Sequence, residues 1–338
     1  MHPKIRLVAS PADADVVVYL PESANWHKTE CANPEYRNKT VVLDEGDGPQ
    51  IFDAPDESKQ NRKFILLFKR SYVRRQNGHF QGYMGYLPRM DVLPMTYTIA
   101  DAYVRPNFNL AVNRDLEILC TLRGSNADPV RLRVRQWVQE YAKARGVTSY
   151  SAGELNSDSR TVISAKYFNQ MHRSQIIVTA NPSGWEGDFR LCEALASGAL
   201  ILVDHMYVPR PSPLLNHQHV VYYDNSNKSD LFAQLDRYRG DKERARRVAV
   251  SGYLHAMKYH RAANLIDYVF RTIHVKQQAE ARGELSLLDP PVTTAGVVPL
   301  AVSYGYKETG YQMRLTALAA SKKGPAVQTS SQANIGFK

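Results

Sequence analysis

The apolar residues of this chain fall into short, unbroken, β-branched-rich runs rather than long alternating ones. Runs at 4–9, 15–20, 40–43 and 64–68 are separated by clusters of Pro, Gly, Asn and Asp, the residues of turns. Further runs lie at 116–122, 174–180, 199–203 and 219–223. Apolar stretches without alternation fit parallel strands buried on both faces. Helical periodicity predicts a helix from about Pro129 to Ala144 and a long helical region from Ser229 to about Ala281, broken near Gly240, with Gly252 as a second candidate break. The fold class expected is therefore α/β, in two domains. The first covers residues 1–112 and ends in the crossover Arg105-Pro106-Asn107-Phe108-Asn109, and the second covers 113–283 with a long terminal helix. Residues 284–320 read as an extended arm, and 321–338, rich in Ser, Lys, Gln and Ala, as a disordered tail.

The stretch 181–203 carries the most information, because it reads as a loop, a short helix and a buried strand in sequence. Asn181, Pro182, Ser183 and Gly184 are turn residues, and Glu186 and Asp188 place acid in an expected first helical turn. Gly198 ends the helix. Within it Phe189, Leu191, Cys192, Leu195 and Ala196 are apolar, while Arg190, Glu193 and Ser197 recur at i, i+3 and i+7. That spacing draws one polar stripe along a buried helix. Either Arg190 and Glu193 satisfy each other as an internal pair, or the stripe faces a cleft and meets a polar ligand. The strand before Asn181 favours the cleft, since open α/β sheets bind ligands at the carboxyl ends of their strands, beside helix N-termini.

The run Lys166-Tyr167-Phe168, the strand 174–178, Asn181-Pro182-Ser183-Gly184, and Asp188-Phe189-Arg190-Leu191-Cys192-Glu193-Ala194 with Ser197-Gly198 resembles the C-terminal half of exostosin-like glycosyltransferases. The resemblance covers about residues 115–225. It is weaker before that, where Ala14-Asp15 opens a strand ending in Pro21, and it is absent from the last 55 or so residues. It implies a GT-B fold, two Rossmann-like domains facing each other across a cleft, with a nucleotide sugar held by the second. By matching position it implies that Arg190 and Glu193 contact the nucleotide. Ser183 and Gly184 belong to the same donor loop.

Other candidate chemistry lies at strand ends. The strand 116–122 feeds Arg123-Gly124-Ser125-Asn126, where backbone amides and Arg123 could cradle a diphosphate, with Arg131 reaching back from the following helix. His205 follows the strand 199–203. In the first domain Asp44, Glu45 and Asp47 form an acidic, glycine-containing turn that could supply the base for an acceptor hydroxyl; Asp101 is a further carboxylate, and Lys69 and Arg70 could face donor phosphates. Residues 74–85, with Asn77, Gly78, His79, Gly82 and Gly85, suggest a mobile acceptor-side loop.

The formal net charge of +10 raises nucleic-acid binding as a rival, but the basic residues show no recognition-helix, zinc-finger or RNP pattern. Three cysteines give no disulfide framework, and no stretch has the length of a transmembrane helix. The expectation is a cytoplasmic enzyme, or one whose anchor lies outside this sequence. Asp13-Ala14-Asp15 has the Asp-x-Asp form of metal-dependent transferases but precedes its strand, on the wrong edge, so no metal and no cofactor is expected. The reading is an inverting transferase moving a sugar from a nucleotide donor, UDP by preference, to a glycan hydroxyl. A retaining group-1-type enzyme is the second class, although its Glu-x7-Glu hallmark is broken, six residues separating Glu186 and Glu193. A non-catalytic carbohydrate or nucleic-acid binder is the third.

Overall fold

A computed structural model describes residues 5–20, 34–48, 65–71, 73–83, 92–99, 103–104, 113–123, 128–151, 164–208 and 210–282. Its strands sort into two parallel sheets and one hairpin.

The first sheet has the order β1 (Val17–Tyr19), β2 (Thr40–Asp44), β3 (Leu66–Lys69), β6 (Val92–Pro94), all parallel. Every residue of β2 and β3 is buried, which is why these strands read as continuous apolar runs. The run at 4–9 forms no strand over its described part, 5–9. The second sheet has the order β11 (Val221–Tyr223), β10 (Leu200–Asp204), β9 (Ser174–Thr179), β7 (Leu116–Cys120), β8 (Ser149–Ser151). The chain runs outward from β7 to β8, then returns to the far side of β7 for β9, β10 and β11. The order therefore reverses between β7 and β9, the position at whose carboxyl edge open α/β sheets place their ligand sites.

One core packs on each face of this sheet. Ile118, Cys120, Ile176 and Leu202 meet α1 (Pro129–Arg145), α4 (Lys228–Gly240) and α5 (Lys242–Tyr259). Leu119, Ile177 and Ile201 meet α2 (Ala165–Arg173) and α3 (Phe189–Ala196). Helix starts are set by local chemistry: Pro129 occupies the first position of α1, and the Ser164 hydroxyl, the Asn227 amide oxygen and the Asp241 carboxylate cap α2, α4 and α5. Gly146 ends α1 at φ 61°.

The long helical region breaks at Gly240 and again at His260, not at Gly252. Gly252 lies inside α5, where an added Cβ would come within 2.1 Å of the His219 carbonyl oxygen; the glycine lets α5 pack on that backbone. After α5 the chain crosses back, and α6 (Ala262–Ala281) lays Tyr268, Val269 and Ile273 on Val41, Leu43 and Phe68 of the first sheet. The two sheets are thus joined by the last helix. The expected crossover at 105–109, the arm at 284–320 and the tail at 321–338 lie outside the described residues.

Two local expectations are corrected. Residues 73–83 are a β-hairpin, β4 (Val73–Gln76) and β5 (His79–Tyr83), where a mobile loop was expected; residues 84 and 85 lie outside the described residues. Asn77 at φ 50° and Gly78 at φ 87° supply the two positive-φ positions of a tight two-residue turn. Helix α3 begins at Phe189, so Glu186 lies in the loop before it and Asp188 flanks the helix.

Candidate active site

The carboxyl edge of the second sheet meets the first sheet and the hairpin, and its two ends are built differently. At the β10 end the organising group is Asp204, fully buried. One carboxylate oxygen accepts from the Asn181 amide and side chain, at 2.7 and 2.8 Å. The other accepts from Arg75 of the hairpin at 2.5 Å and from Asn225 at 2.7 Å. The hairpin tip is seated here: Gly78 N–H donates to the Ser183 carbonyl, and a Cβ on Gly78 would lie 2.6 Å from Asn225 Nδ2. Phe80 stacks on Tyr207 at 4.8 Å.

At the β7–β9 end lies the polar stripe of α3. Glu193, 6% exposed, accepts from Tyr103 Oη at 3.0 Å and Tyr167 Oη at 2.8 Å. Burial and the adjacent carboxylate push both phenols well above their usual range. Arg190 donates to Asp188 at 3.2 Å, and Asp188 also accepts from Arg131. Burial would lower the Arg190 guanidinium; Tyr167, Asp188 and Glu193 outweigh it and raise it further. Two tyrosines occupy Glu193 and Asp188 takes one Arg190 nitrogen while Arg190 Nε stays buried without a partner, a third arrangement besides a direct Arg190–Glu193 pair or an open cleft. Ser197 turns back onto its own helix end, accepting from Ala199 N–H and donating to the Ala194 carbonyl.

Ser183 links the two strand ends, its amide and hydroxyl donating to Asp128 at 3.0 and 2.8 Å beside the start of α1. Gly184 is exposed, with open space where a Cβ would stand. Arg131 donates to the Ala180 carbonyl at 3.0 Å. Arg123 is exposed just past β7, whereas Gly124 and Ser125 lie outside the described residues, as does Asp101. The His205 ring stacks on Tyr222 at 5.7 Å, on the β10–β11 side.

From the first sheet, Asp44 and Lys69 form a buried pair at 2.9 Å, each 1% exposed, and Asp44 also caps the Gly46 amide. Burial lowers the Lys69 ammonium and Asp44 opposes that. These two side chains face each other rather than a ligand. Arg70 crosses the seam: it donates to the Glu186 and Gly187 carbonyls at 3.2 and 2.6 Å, to the Glu45 carbonyl, and to Asp47 at 2.6 Å. Its guanidinium lies 4.2 Å from the Tyr97 ring centre and 4.5 Å from that of Trp185. Asp47 keeps half of its side chain exposed. Glu186 is sealed, accepting from the Tyr207 and Val208 amides and from Arg210 at 3.1 Å. A cavity of about 30 Å³, room for about one water, remains between Tyr97, Asp188, Cys192 and Arg210. The domains are closed on each other in this state.

Sequence reasoning missed the Arg75–Asp204–Asn181–Asn225 cluster and the tyrosine partners of Glu193. Asn77-Gly78 between β-branched and aromatic residues is a hairpin signal that could have pointed to the first. Among the described residues no three His, Cys, Asp or Glu side chains gather as a metal site, and Asp13 and Asp15 flank the amino end of β1.

Residues 105–271 match the family model described as glycosyl transferase-like. No curated protein matches the chain significantly in sequence. Among solved structures, a glycosyltransferase from Rickettsia africae ESF-5 is 10% identical, with a TM-score of 0.52 over 78% of this chain and 77% of that one. TarM of S. aureus is 10% identical, with a TM-score of 0.46 over 70% of this chain and 55% of that one. Anabaena Alr3699/HepE in complex with UDP is 10% identical, with a TM-score of 0.41 over 70% and 72%. The chain thus spans little more than half the length of TarM. The fold is GT-B. No described helix is long and apolar enough to cross a membrane.

Proposed function

We propose that this chain is an inverting glycosyltransferase taking a sugar from a nucleotide donor, UDP-linked by preference, to a hydroxyl of a glycan or glycoconjugate. The observation that carries the reading is the reversal of strand order between β7 and β9, with Arg190 and Glu193 of α3 beside it and Tyr103 of the first domain reaching Glu193. Within the glycosyl transferase-like match, the order of tyrosine helix, Pro182-Ser183-Gly184 loop and Arg190-x-x-Glu193-Ala194 helix favours an exostosin-like member, and uridine is the base that resemblance implies.

In this reading the ribose takes the place of the Tyr103 hydroxyl on Glu193, and the diphosphate lies near Arg190 and Arg131. The acceptor oxygen attacks the anomeric carbon as the bond to the diphosphate breaks, and the acceptor proton passes to a first-domain carboxylate. Of the three candidates Asp44 is committed to Lys69, while Asp47 is exposed at the seam and positioned by Arg70 and Tyr97. Charge growing on the leaving diphosphate is met by arginines and the start of α1. Glu186 is turned away into the Tyr207 and Val208 amides, which favours inversion over the retaining reading that would use it.

A panel of sugar nucleotides incubated with the protein and mixed glycan acceptors tests this. Release of UDP with transfer, and inversion at the anomeric carbon read by NMR, is the expected result; no turnover of any sugar nucleotide, or retained configuration, counts against it.

A further inference from the structure

Outside the Asp204 cluster, five side chains from three elements meet at the surface. His79 and Phe80 begin β5 of the first domain's hairpin, His205 and Tyr207 follow β10, and Asp224 follows β11. The β10–β11 register pairs Asp204 with Tyr223, so His205 and Asp224 stand side by side on the next rung of these parallel strands. The hairpin turn rests on Asn225, whose Nδ2 donates to the Gly78 carbonyl at 3.4 Å, and this brings His79 to the same carboxylate. Phe80 lies on Tyr207, the rings 4.8 Å apart and 23° from parallel, and the Tyr207 backbone is fixed in turn by its amide bond to Glu186.

Two features set this cluster apart from ordinary polar surface. Phe80, 37% exposed, is the one exposed aromatic side chain among the described residues, and a stacked partner holds it in place. Asp224 receives the Ser226 amide and hydroxyl on one oxygen, at 2.8 and 2.6 Å, while its other oxygen has no partner among the described residues. Burial alone would raise the Asp224 carboxyl; Ser226 and the two histidines outweigh it and hold it below its usual range. It is therefore a carboxylate at neutral pH, a group that only accepts. Such a carboxylate repels phosphate. A sugar ring suits it, with hydroxyl donors along the edge and an apolar C–H face for the negative face of an aromatic ring. We propose that His79, Phe80, His205, Tyr207 and Asp224 form a saccharide subsite that takes one unit of the acceptor glycan; the acceptor role rests on the function proposed above, the saccharide binding does not. The subsite lies two strand spacings, about 10 Å, from the β7–β9 end, so it holds a unit removed from the reacting hydroxyl. Because its groups come from both domains, it is complete only while the hairpin is seated.

Phe80→Ala removes the exposed ring, and Asp224→Asn removes the charge while keeping an oxygen for Ser226. An array of immobilised mono- and oligosaccharides probed with wild type and both variants, with calorimetric titration of UDP into all three, tests the proposal. Wild type should retain a set of oligosaccharides, and each variant should bind that set about tenfold more weakly, with UDP affinity unchanged. Melting temperatures should stay near that of wild type, since Phe80 is exposed and Asp224 partly so. Oligosaccharide binding that both variants keep, or no saccharide binding by wild type, would overturn the subsite; turnover of a sugar nucleotide by wild type would then leave the transferase reading intact. Saccharide binding lost in the variants, in a protein that turns over no sugar nucleotide, would uphold the subsite and remove the transferase reading. UDP affinity lost in Phe80→Ala would put the nucleobase on this ring and overturn the proposal.

Discussion

The two ends of one sheet edge differ in how fully their polar atoms are used. At Asp204 each carboxylate oxygen has two partners, drawn from the Asn181 loop, Asn225 and the first domain's hairpin. A few residues away, Thr121, Thr179 and Arg190 leave buried donors unpaired. The first end is finished by the protein itself and holds the domains together. The second lies at the strand-order reversal and keeps polar atoms that the described residues do not pair, which sets it apart from the seam on the same strands.

The comparison breaks most visibly at the finished end. Arg75→Met strands Asp204 as a buried charge and should lower stability by about 3–5 kcal/mol, read as a fall in melting temperature or in the denaturant midpoint. A loss below about 1 kcal/mol would show that the hairpin is not seated as described.

Acid attacks the seam from another side. Burial pushes His219 down to about 4 and His260 down to about 3, with neighbouring His255 adding to both, and His255 and His260 each donate to the Ser212 carbonyl at 3.1 Å. A histidine depressed in the folded state is neutral there, so its stability contribution is whole above the unfolded value near 6.5 and is lost as pH falls toward 4 and 3. His260 should account for about 2 kcal/mol lost on going from pH 7.5 to 5 and His219 for less, measured by thermal melts, and replacing His260 should flatten that slope.

At the open end effects on the fold should be smaller. Glu193→Gln keeps an oxygen for Tyr103 or Tyr167, and Arg190 retains Asp188, so stability should drop by only about 1–2 kcal/mol. UDP affinity should fall about tenfold at the same time. A drop as large as that of Arg75→Met with UDP affinity unchanged would make Glu193 a structural residue alone. Smallest of all, excess EDTA should leave transfer unaffected; loss restored by manganese or magnesium would bring Asp13, Asp15 and the 44–47 turn back as ligands.

Much of this was legible in the sequence because it is local. Unbroken apolar runs located β2, β3, β7, β9 and β10, and Pro129 and Gly240 bound helices where their conformational chemistry requires it. What was illegible depends on pairs distant in sequence. Nothing near Asp44 announces Lys69, and nothing near Glu193 announces Tyr103, ninety residues earlier. Asn77-Gly78 was misread for a different reason: residues that permit a mobile loop are also those a tight hairpin demands, and packing against Asn225 and Ser183 decides between them. The polar stripe of α3 was visible, but spacing alone could not say that two tyrosines would occupy it.

The central claim is that the nucleotide belongs to the β7–β9 end of the edge and not to the hairpin end. Hydrogen–deuterium exchange with and without saturating UDP addresses it directly. The account predicts new protection in residues 119–123, 179–183 and 188–193, with residues 73–83 and 221–225 little changed. Protection concentrated in the hairpin and at 221–225, with 119–123 and 188–193 unmoved, would contradict it.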